Sequence, residues 1–148
     1  MRASGVGVVV LSCSDPRLNP YQILGIDPTL KATMVRNAGG RVFDAIRTLS
    51  VSQTIGTPGT IVVMHHTDCG MTHYHDPAIK KALIEIAPEE HESIEASQFG
   101  EIITSVRADV AILKASPLIK KDTQIVGLKY EINTGVLMVV DGEIKSEL

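Results

Sequence analysis

Two cysteines and one histidine are the residues of this sequence best suited to chemistry, because their side chains can bind a transition metal. Cys13 and Cys69 are the only cysteines, and His66 precedes Cys69 by three positions. Two thiolates and one imidazole would fill three tetrahedral positions around Zn²⁺ and leave the fourth open for water, as in catalytic sites. A closed structural site would need a fourth protein ligand. The three residues are therefore candidate ligands of a catalytic zinc ion.

The same residues also have ordinary structural explanations. A cysteine at a strand end is most often a small buried apolar residue, and a histidine there is most often only hydrogen-bonded. The pair His66-x-x-Cys69 is a weak signal alone, and it gains weight because both cysteines fall at or just beyond predicted strand ends. The spacing by itself leaves a metal site and a set of core residues both open.

An acidic and a basic residue follow Cys13 in the segment Cys13-Ser14-Asp15-Pro16-Arg17. Pro16 disfavours helical geometry at Asp15, so the segment should be extended, with Asp15 and Arg17 on one side. A neighbouring arginine keeps a carboxylate ionised and fixes its direction through paired hydrogen bonds. The alternative is a surface ion pair of little energetic value. A cysteine phosphatase loop fits poorly, because three intervening residues are too few to wrap an oxyanion.

The elements that must position these residues alternate between strands and helices. Strands are predicted over residues 7–12, 32–36 and 60–65, and helices over 41–55, 78–86 and 101–115, with a short helical turn near 19–25 and a loop or frayed helix over 88–100. Residues 124–131 and 136–140 flank Asn133-Thr134-Gly135, which predicts a hairpin. The order predicts an α/β fold: a central, mostly parallel β-sheet flanked by helices, with a C-terminal antiparallel hairpin strand.

The predicted sheet would bring the candidate ligands together. Functional groups of open α/β sheets collect at the carboxyl ends of strands, where Cys13 and His66 both lie. If the first and third strands are neighbours, their loops share one edge of the sheet and the three ligands can converge. His65 precedes His66, and alternation along a strand sends the two to opposite faces, so only one can be a ligand.

Composition and charge narrow the function classes. The chain has 148 residues, for which we predict a single domain over 1–148. The net charge is −3 without a basic run, so nucleic acid is not expected as a partner, and the apolar stretches are too short to span a membrane. A strand predicted so close to Met1 leaves no room for a signal peptide, which favours a cytoplasmic protein. In a reducing compartment two cysteines favour thiolate ligands, a nucleophile or core residues over a disulfide.

Three segments together resemble the signature segments of the β-carbonic anhydrases, in the same order and at similar separations. They are Cys13-x-Asp15-x-Arg17, Arg36-Asn37-Ala38-Gly39-Gly40 and His66-Thr67-Asp68-Cys69-Gly70. Residues 127–137 also resemble that family's C-terminal hairpin, so the resemblance covers nearly the whole chain. It implies an α/β fold with a central parallel sheet, one catalytic Zn²⁺ per chain, and conversion between carbon dioxide and bicarbonate. The residues of the second and third segments are closer to those of the small, archaeal-like branch of the family.

The resemblance also implies a role for each matching residue. Cys13, His66 and Cys69 would bind zinc, which acidifies its bound water, and Asp15, oriented by Arg17, would accept a hydrogen bond from the resulting hydroxide. A hydrolase of carbonyl sulfide or carbon disulfide would use the same groups. A non-catalytic zinc-binding protein on the same fold would need the ligands but neither Asp15 nor Arg17.

The resemblance implies a homodimer or higher homo-oligomer as well. The N-terminal helices that embrace the partner subunit in that family are not expected here, because only twelve residues precede Cys13. The sequence contains no tryptophan, so the family's Trp-containing bicarbonate inhibition site has no expected counterpart.

Four further residues near the matching segments keep two interpretations each. Gly39 and Gly40 are consistent with a plain turn or with a close approach of backbone amides to the site. His73 and His75 are expected as solvated loop residues, with proton relay as the alternative role.

Overall fold

The computed structural model describes residues 7–27, 29, 32–99 and 106–142. Within these ranges, five strands form one sheet: β1 (Val8–Cys13), β2 (Ala32–Asn37), β3 (Thr60–His66), β4 (Gln124–Glu131) and β5 (Val136–Asp141). Their spatial order is β2-β1-β3-β4-β5. The first four strands are parallel to one another, and β5 pairs with β4 in the antiparallel sense. The predicted mostly parallel sheet with a C-terminal antiparallel strand is confirmed.

Five helices accompany the sheet in the described part of the chain. They are α1 (Pro20–Ile23), α2 (Val42–Ile55), α3 (Asp76–Ile86), α4 (His91–Ala96) and α5 (Val106–Ala115), and short 3₁₀ turns cover Ala38–Gly40, Gly70–Thr72 and Pro88–Glu90. None of these helices is long and apolar enough to cross a membrane.

Apolar side chains on both faces of the central strands build the core. On one face, sheet residues such as Leu11 and Val63 pack with Leu49 of α2 and with Val110 of α5. On the other face, Met64 and its neighbours pack against the short α1 and the chain that follows it. Because both faces are covered, β1 and β3 read as continuous apolar runs, which is typical of parallel strands.

A glycine in β4 sets the distance between that strand and α5. A Cβ atom added at Gly127 would lie 2.6 Å from Cγ1 of Val106 and 3.0 Å from Cγ2 of Val110. The absence of a side chain therefore lets α5 lie directly on the sheet, which is one recurring use of glycine inside a strand.

Several predicted boundaries differ from the structure. The helix predicted to begin at residue 78 begins at Asp76, because Pro77 is compatible with a first helical turn. The segment predicted as loop or frayed helix contains a 3₁₀ turn followed by α4. The last helix is seen from Val106 onward, and its predicted start at 101–105 lies outside the described residues, as does the N-terminal segment before residue 7.

Candidate metal centre

The carboxyl ends of three neighbouring strands meet at one edge of the sheet and carry the candidate ligands. Strand β1 lies between β2 and β3, and Ser12 pairs with Met64, so Cys13 at the end of β1 lies beside the end of β3, where His66 is placed. A tight turn after β3 brings Cys69 back to the same edge. Their donor atoms all lie within 4.8 Å of one another, and all three residues are buried. The predicted convergence of these side chains is therefore present.

The distance between the two sulfurs suits a zinc ion. Sγ of Cys13 and Sγ of Cys69 are 3.8 Å apart. Two sulfurs bound to one tetrahedral zinc at about 2.3 Å would be separated by about 3.8 Å. The two cysteines are free thiols, so a disulfide does not account for their proximity.

The imidazole of His66 presents an unsatisfied nitrogen. Its Nδ1 lies 2.8 Å from the carbonyl oxygen of Thr67, which can only accept, so Nδ1 carries the proton. The lone pair of the neutral ring is then on Nε2, which is buried and has no hydrogen-bond partner among the described residues. Buried polar atoms are nearly always partnered, so an unpartnered acceptor beside two sulfurs fits a metal ligand. The donor set and its geometry thus match zinc.

The electrostatics of the cluster favour a thiolate. A hydrogen bond from the Cys69 thiol, and then the contact with His66, lower the pKa of Cys13 against the opposing effect of burial. The same hydrogen bond, together with burial, raises the pKa of Cys69. The contact with Cys13 also raises the pKa of His66. The three groups together therefore favour a thiolate at Cys13.

The predicted pairing of Asp15 with Arg17 is present at the rim of the cluster. Nε and Nη2 of Arg17 donate to the Asp15 carboxylate at 3.0 and 2.7 Å, and the backbone N–H of Arg17 donates to Oδ1 at 2.9 Å. These hydrogen bonds hold the pKa of Asp15 well below its usual range. Oδ2 of Asp15 lies 3.9 Å from Nε2 of His66, too far for a hydrogen bond but beside the candidate ligands.

Sequence reasoning did not identify Asp68 as part of this arrangement. Oδ2 of Asp68 accepts from Nη1 of Arg17 at 2.8 Å, and the Asp68 carbonyl oxygen accepts from Nη2 at 2.8 Å. Asp68 has a φ of +53°, a left-handed conformation that is uncommon outside glycine. The one available signal was its place between His66 and Cys69, within the third segment.

Residues of the segment Arg36-Asn37-Ala38-Gly39-Gly40 contact the backbone of the loop after β1. Nε of Arg36 donates to the carbonyl oxygen of Cys13 at 3.0 Å, and Nη2 donates to that of Asp15 at 2.7 Å. A Cβ atom at Gly40, where φ is +68°, would lie 2.9 Å from the backbone nitrogen of Cys13. A backbone hydrogen bond from Gly39 contributes to lowering the pKa of Cys13. The glycine pair thus lies in a 3₁₀ turn and also comes close to Cys13, so the two interpretations hold together.

The remaining histidines lie outside the cluster. As strand alternation predicts, His65 points away from His66: its Nε2 lies 3.0 Å from Oδ2 of the fully buried Asp109, which also accepts from Nε of Arg41 at 2.9 Å. His73 and His75 are exposed, as expected for solvated residues, and Nε2 of His73 lies 3.5 Å from Oδ1 of Asp68.

Comparisons with known proteins match a carbonic anhydrase family and, among individual relatives, both carbonic anhydrases and carbon disulfide hydrolases. The family model described as carbonic anhydrase matches residues 8–137. Beta-carbonic anhydrase 1 of Mycobacterium tuberculosis is 31% identical over 134 residues, covering 88% of this chain and 79% of the relative. Carbon disulfide hydrolase of Acidianus sp. is 34% identical, covering 84% of this chain and 72% of the relative. The solved carbonic anhydrase from Glaciozyma antarctica superimposes with a TM-score of 0.85 at 33% identity, over 94% of this chain and 84% of that one.

Proposed function

This chain belongs to the β-carbonic anhydrase family, and from that premise we propose that it catalyses the reversible hydration of carbon dioxide to bicarbonate. The observation that carries the proposal is the buried, unpartnered Nε2 of His66 beside two sulfurs 3.8 Å apart, with an ionised carboxylate at its rim. A zinc-binding protein without activity would need the three donors but not the Asp15–Arg17 pair.

In this proposal, Sγ of Cys13, Nε2 of His66 and Sγ of Cys69 hold one zinc ion per chain. Thiolate and imidazole donors favour zinc over hard cations such as magnesium and calcium. A zinc ion held there supplies an acidified water molecule as nucleophile and leaves the protein to orient it.

The orienting residue is Asp15. Because its pKa is held well below the usual range, Asp15 stays ionised near neutral pH and acts only as a hydrogen-bond acceptor. An acceptor at this position fixes the proton of the attacking oxygen, so that a lone pair points toward the substrate carbon. Arg17 keeps the carboxylate in place and is a positioning residue.

A second candidate reaction is the hydrolysis of carbon disulfide or carbonyl sulfide. The observation in its favour is the similarity to the Acidianus protein named carbon disulfide hydrolase, which is 34% identical to this chain. Both reactions add an oxygen nucleophile to the electrophilic carbon of a linear triatomic molecule, so the same side chains would serve both.

A single zinc-loaded preparation separates the candidates. Carbon dioxide hydration is followed by stopped-flow with a pH indicator, and sulfide release is followed from carbonyl sulfide and from carbon disulfide. We expect hydration to be the faster reaction, with Cys69→Ser as the inactive control. Sulfide release without hydration would replace the proposal by the second candidate, and a zinc-loaded protein inert in all three assays would leave a binding function.

We also infer that the protein assembles into homodimers or larger homo-oligomers. Strand β5 forms one edge of the sheet, and the first four of its five consecutive apolar residues, Val136–Val139, are 36–50% exposed. An exposed apolar edge strand is usually covered by another chain or another element. A cytoplasmic location is proposed with it, because buried free thiols at a metal site suit a reducing compartment.

A further inference from the structure

We propose that Asp68 is a positioning residue that clamps Arg17 at the edge of its guanidinium adjacent to the edge that binds Asp15. The guanidinium of Arg17 binds both residues: Nε and Nη2 donate to the Asp15 carboxylate, Nη1 donates to the Asp68 carboxylate, and Nη2 also donates to the Asp68 carbonyl oxygen. A guanidinium is planar and has five N–H groups in a fixed fork, so fixing its Nη1–Nη2 edge also fixes the Nε–Nη2 edge that faces Asp15. This inference rests on the proposed function, because it concerns how Asp15 is aimed.

The backbone of Asp68 is shaped for this contact. At φ +53° the residue offers both its carbonyl oxygen and its carboxylate to the same guanidinium. A left-handed conformation in a residue other than glycine stores strain, and such strain concentrates at functional sites. Asp68 also lies between His66 and Cys69, so its bond to Arg17 joins the loop after β3 to the loop after β1.

An ordinary surface ion pair is the competing explanation. The side chains of Arg17 and Asp68 are 47% and 53% exposed, and exposed pairs contribute little to stability. That argument concerns the free energy of unfolding, whereas a positioning residue acts on the geometry of the reacting group. The two explanations therefore differ in which measurement changes.

The test compares Asp68→Gly, Asp68→Asn and a matched charge control, Asp122→Asn. Glycine adopts positive φ without strain, so Asp68→Gly removes the carboxylate while permitting the same backbone. Asp122 is exposed in the turn before β4, at the opposite end of the sheet. Turnover is measured per bound zinc, together with the urea midpoint.

We expect Asp68→Gly to lower kcat about 10- to 100-fold, which is the typical effect of removing a hydrogen-bond partner that orients the residues of a metal site. Zinc content, the urea midpoint and KM should change little. Asp68→Asn should lose less, because its amide oxygen still accepts from Nη1, and Asp122→Asn should match wild type. Wild-type turnover in Asp68→Gly would overturn the proposal.

A double-mutant cycle with Arg17→Ala shows whether Asp68 acts through Arg17. If it does, adding Asp68→Gly to Arg17→Ala lowers kcat no further. Independent losses that multiply would overturn the proposal.

A readout without turnover separates this proposal from the proposed function. In ¹⁵N-labelled protein, solvent exchange of the Arg17 Nε–H should be faster in Asp68→Gly than in wild type, with Arg17→Lys identifying the signal. Unchanged exchange would overturn the clamp even if the enzyme is active. Faster exchange in a protein inert toward all three substrates would uphold the clamp and defeat the proposed function.

Discussion

At the scale of single residues, the reaction depends on the acceptor capacity that Asp15 keeps after Arg17 has bound it. Oδ1 accepts from the backbone N–H of Arg17 at 2.9 Å and from its Nε at 3.0 Å, whereas Oδ2 accepts from Nη2 at 2.7 Å and receives only the longer arm of the bond from Nε, at 3.3 Å. Each carboxylate oxygen accepts about two hydrogen bonds. Oδ2, which lies 3.9 Å from Nε2 of His66, has one short bond and one long, shared bond, so it keeps more acceptor capacity than Oδ1 for the hydrogen bond that orients the nucleophile.

Replacing Asp15 by asparagine tests this role. We expect Asp15→Asn to keep its zinc but to lose about 10²–10⁴-fold in hydration, because an amide can present NH₂ where an acceptor is needed. Arg17→Lys should retain part of the activity, since a point charge cannot reproduce the two-pronged contact. Turnover per bound zinc is measured between pH 7 and 9, and near-wild-type rates for Asp15→Asn across that range would contradict the role.

At the scale of secondary-structure elements, the buried Asp109 connects helix α5 with strand β3 and with the start of helix α2. It lies in α5, and it accepts from His65 of β3 and from Arg41, which precedes α2. Burial raises the pKa of Asp109, but the hydrogen bonds from His65 and Arg41 outweigh it and leave that pKa below its usual value. The cluster thus anchors both covering helices to the strand that carries His66.

Replacing Asp109 by alanine should destabilise the fold more than any surface change. It leaves the buried Arg41 unpaired, and breaking a buried pair in this way costs about 3–5 kcal/mol. Because the folded-state pKa of Asp109 is lowered, its contribution is present above the unfolded-state value, about 3.9, and is lost as pH falls further. Urea unfolding at pH 7 should show the full loss, with Asp122→Asn as control, and the gap between wild type and Asp109→Ala should narrow below about pH 4. Equal midpoints at pH 7 would contradict this account.

Asp109 and Asp68 show which parts of the structure could not be predicted from the sequence. Strand ends and ligand residue types were readable, because β-branched runs mark buried strands and the chemistry of Cys and His is specific. The structural role of Asp109 was not readable, since it depends on contacts with residues 68 and 44 positions away in the sequence. Asp68 was missed because its contacts depend on a left-handed backbone conformation, which an aspartate in the sequence does not predict. The start of α3 was misplaced because Pro77 was treated as preceding the helix.

At the scale of the whole molecule, the exposed residues of β5 determine the expected assembly. Consecutive strand residues point to opposite faces, so four exposed apolar residues in a row leave both faces of this edge uncovered. We expect light scattering at micromolar concentration to show at least a dimer. Leu137→Lys with Val139→Lys, which places charge on one face, should shift the protein toward monomer. A wild type found only near 15.9 kDa would contradict the inferred assembly.

The most direct test of the whole account is a zinc titration of the metal-stripped protein with carbon dioxide hydration as the readout. We expect activity to rise in proportion to added zinc and to stop rising at one equivalent per chain. His66→Ala should gain no activity over the same range, because it lacks one of the three donors, whereas His91→Ala, which replaces an exposed histidine of α4, should follow wild type. Hydration that is independent of zinc, or a His66→Ala protein that titrates like wild type, would contradict the assignment of this site.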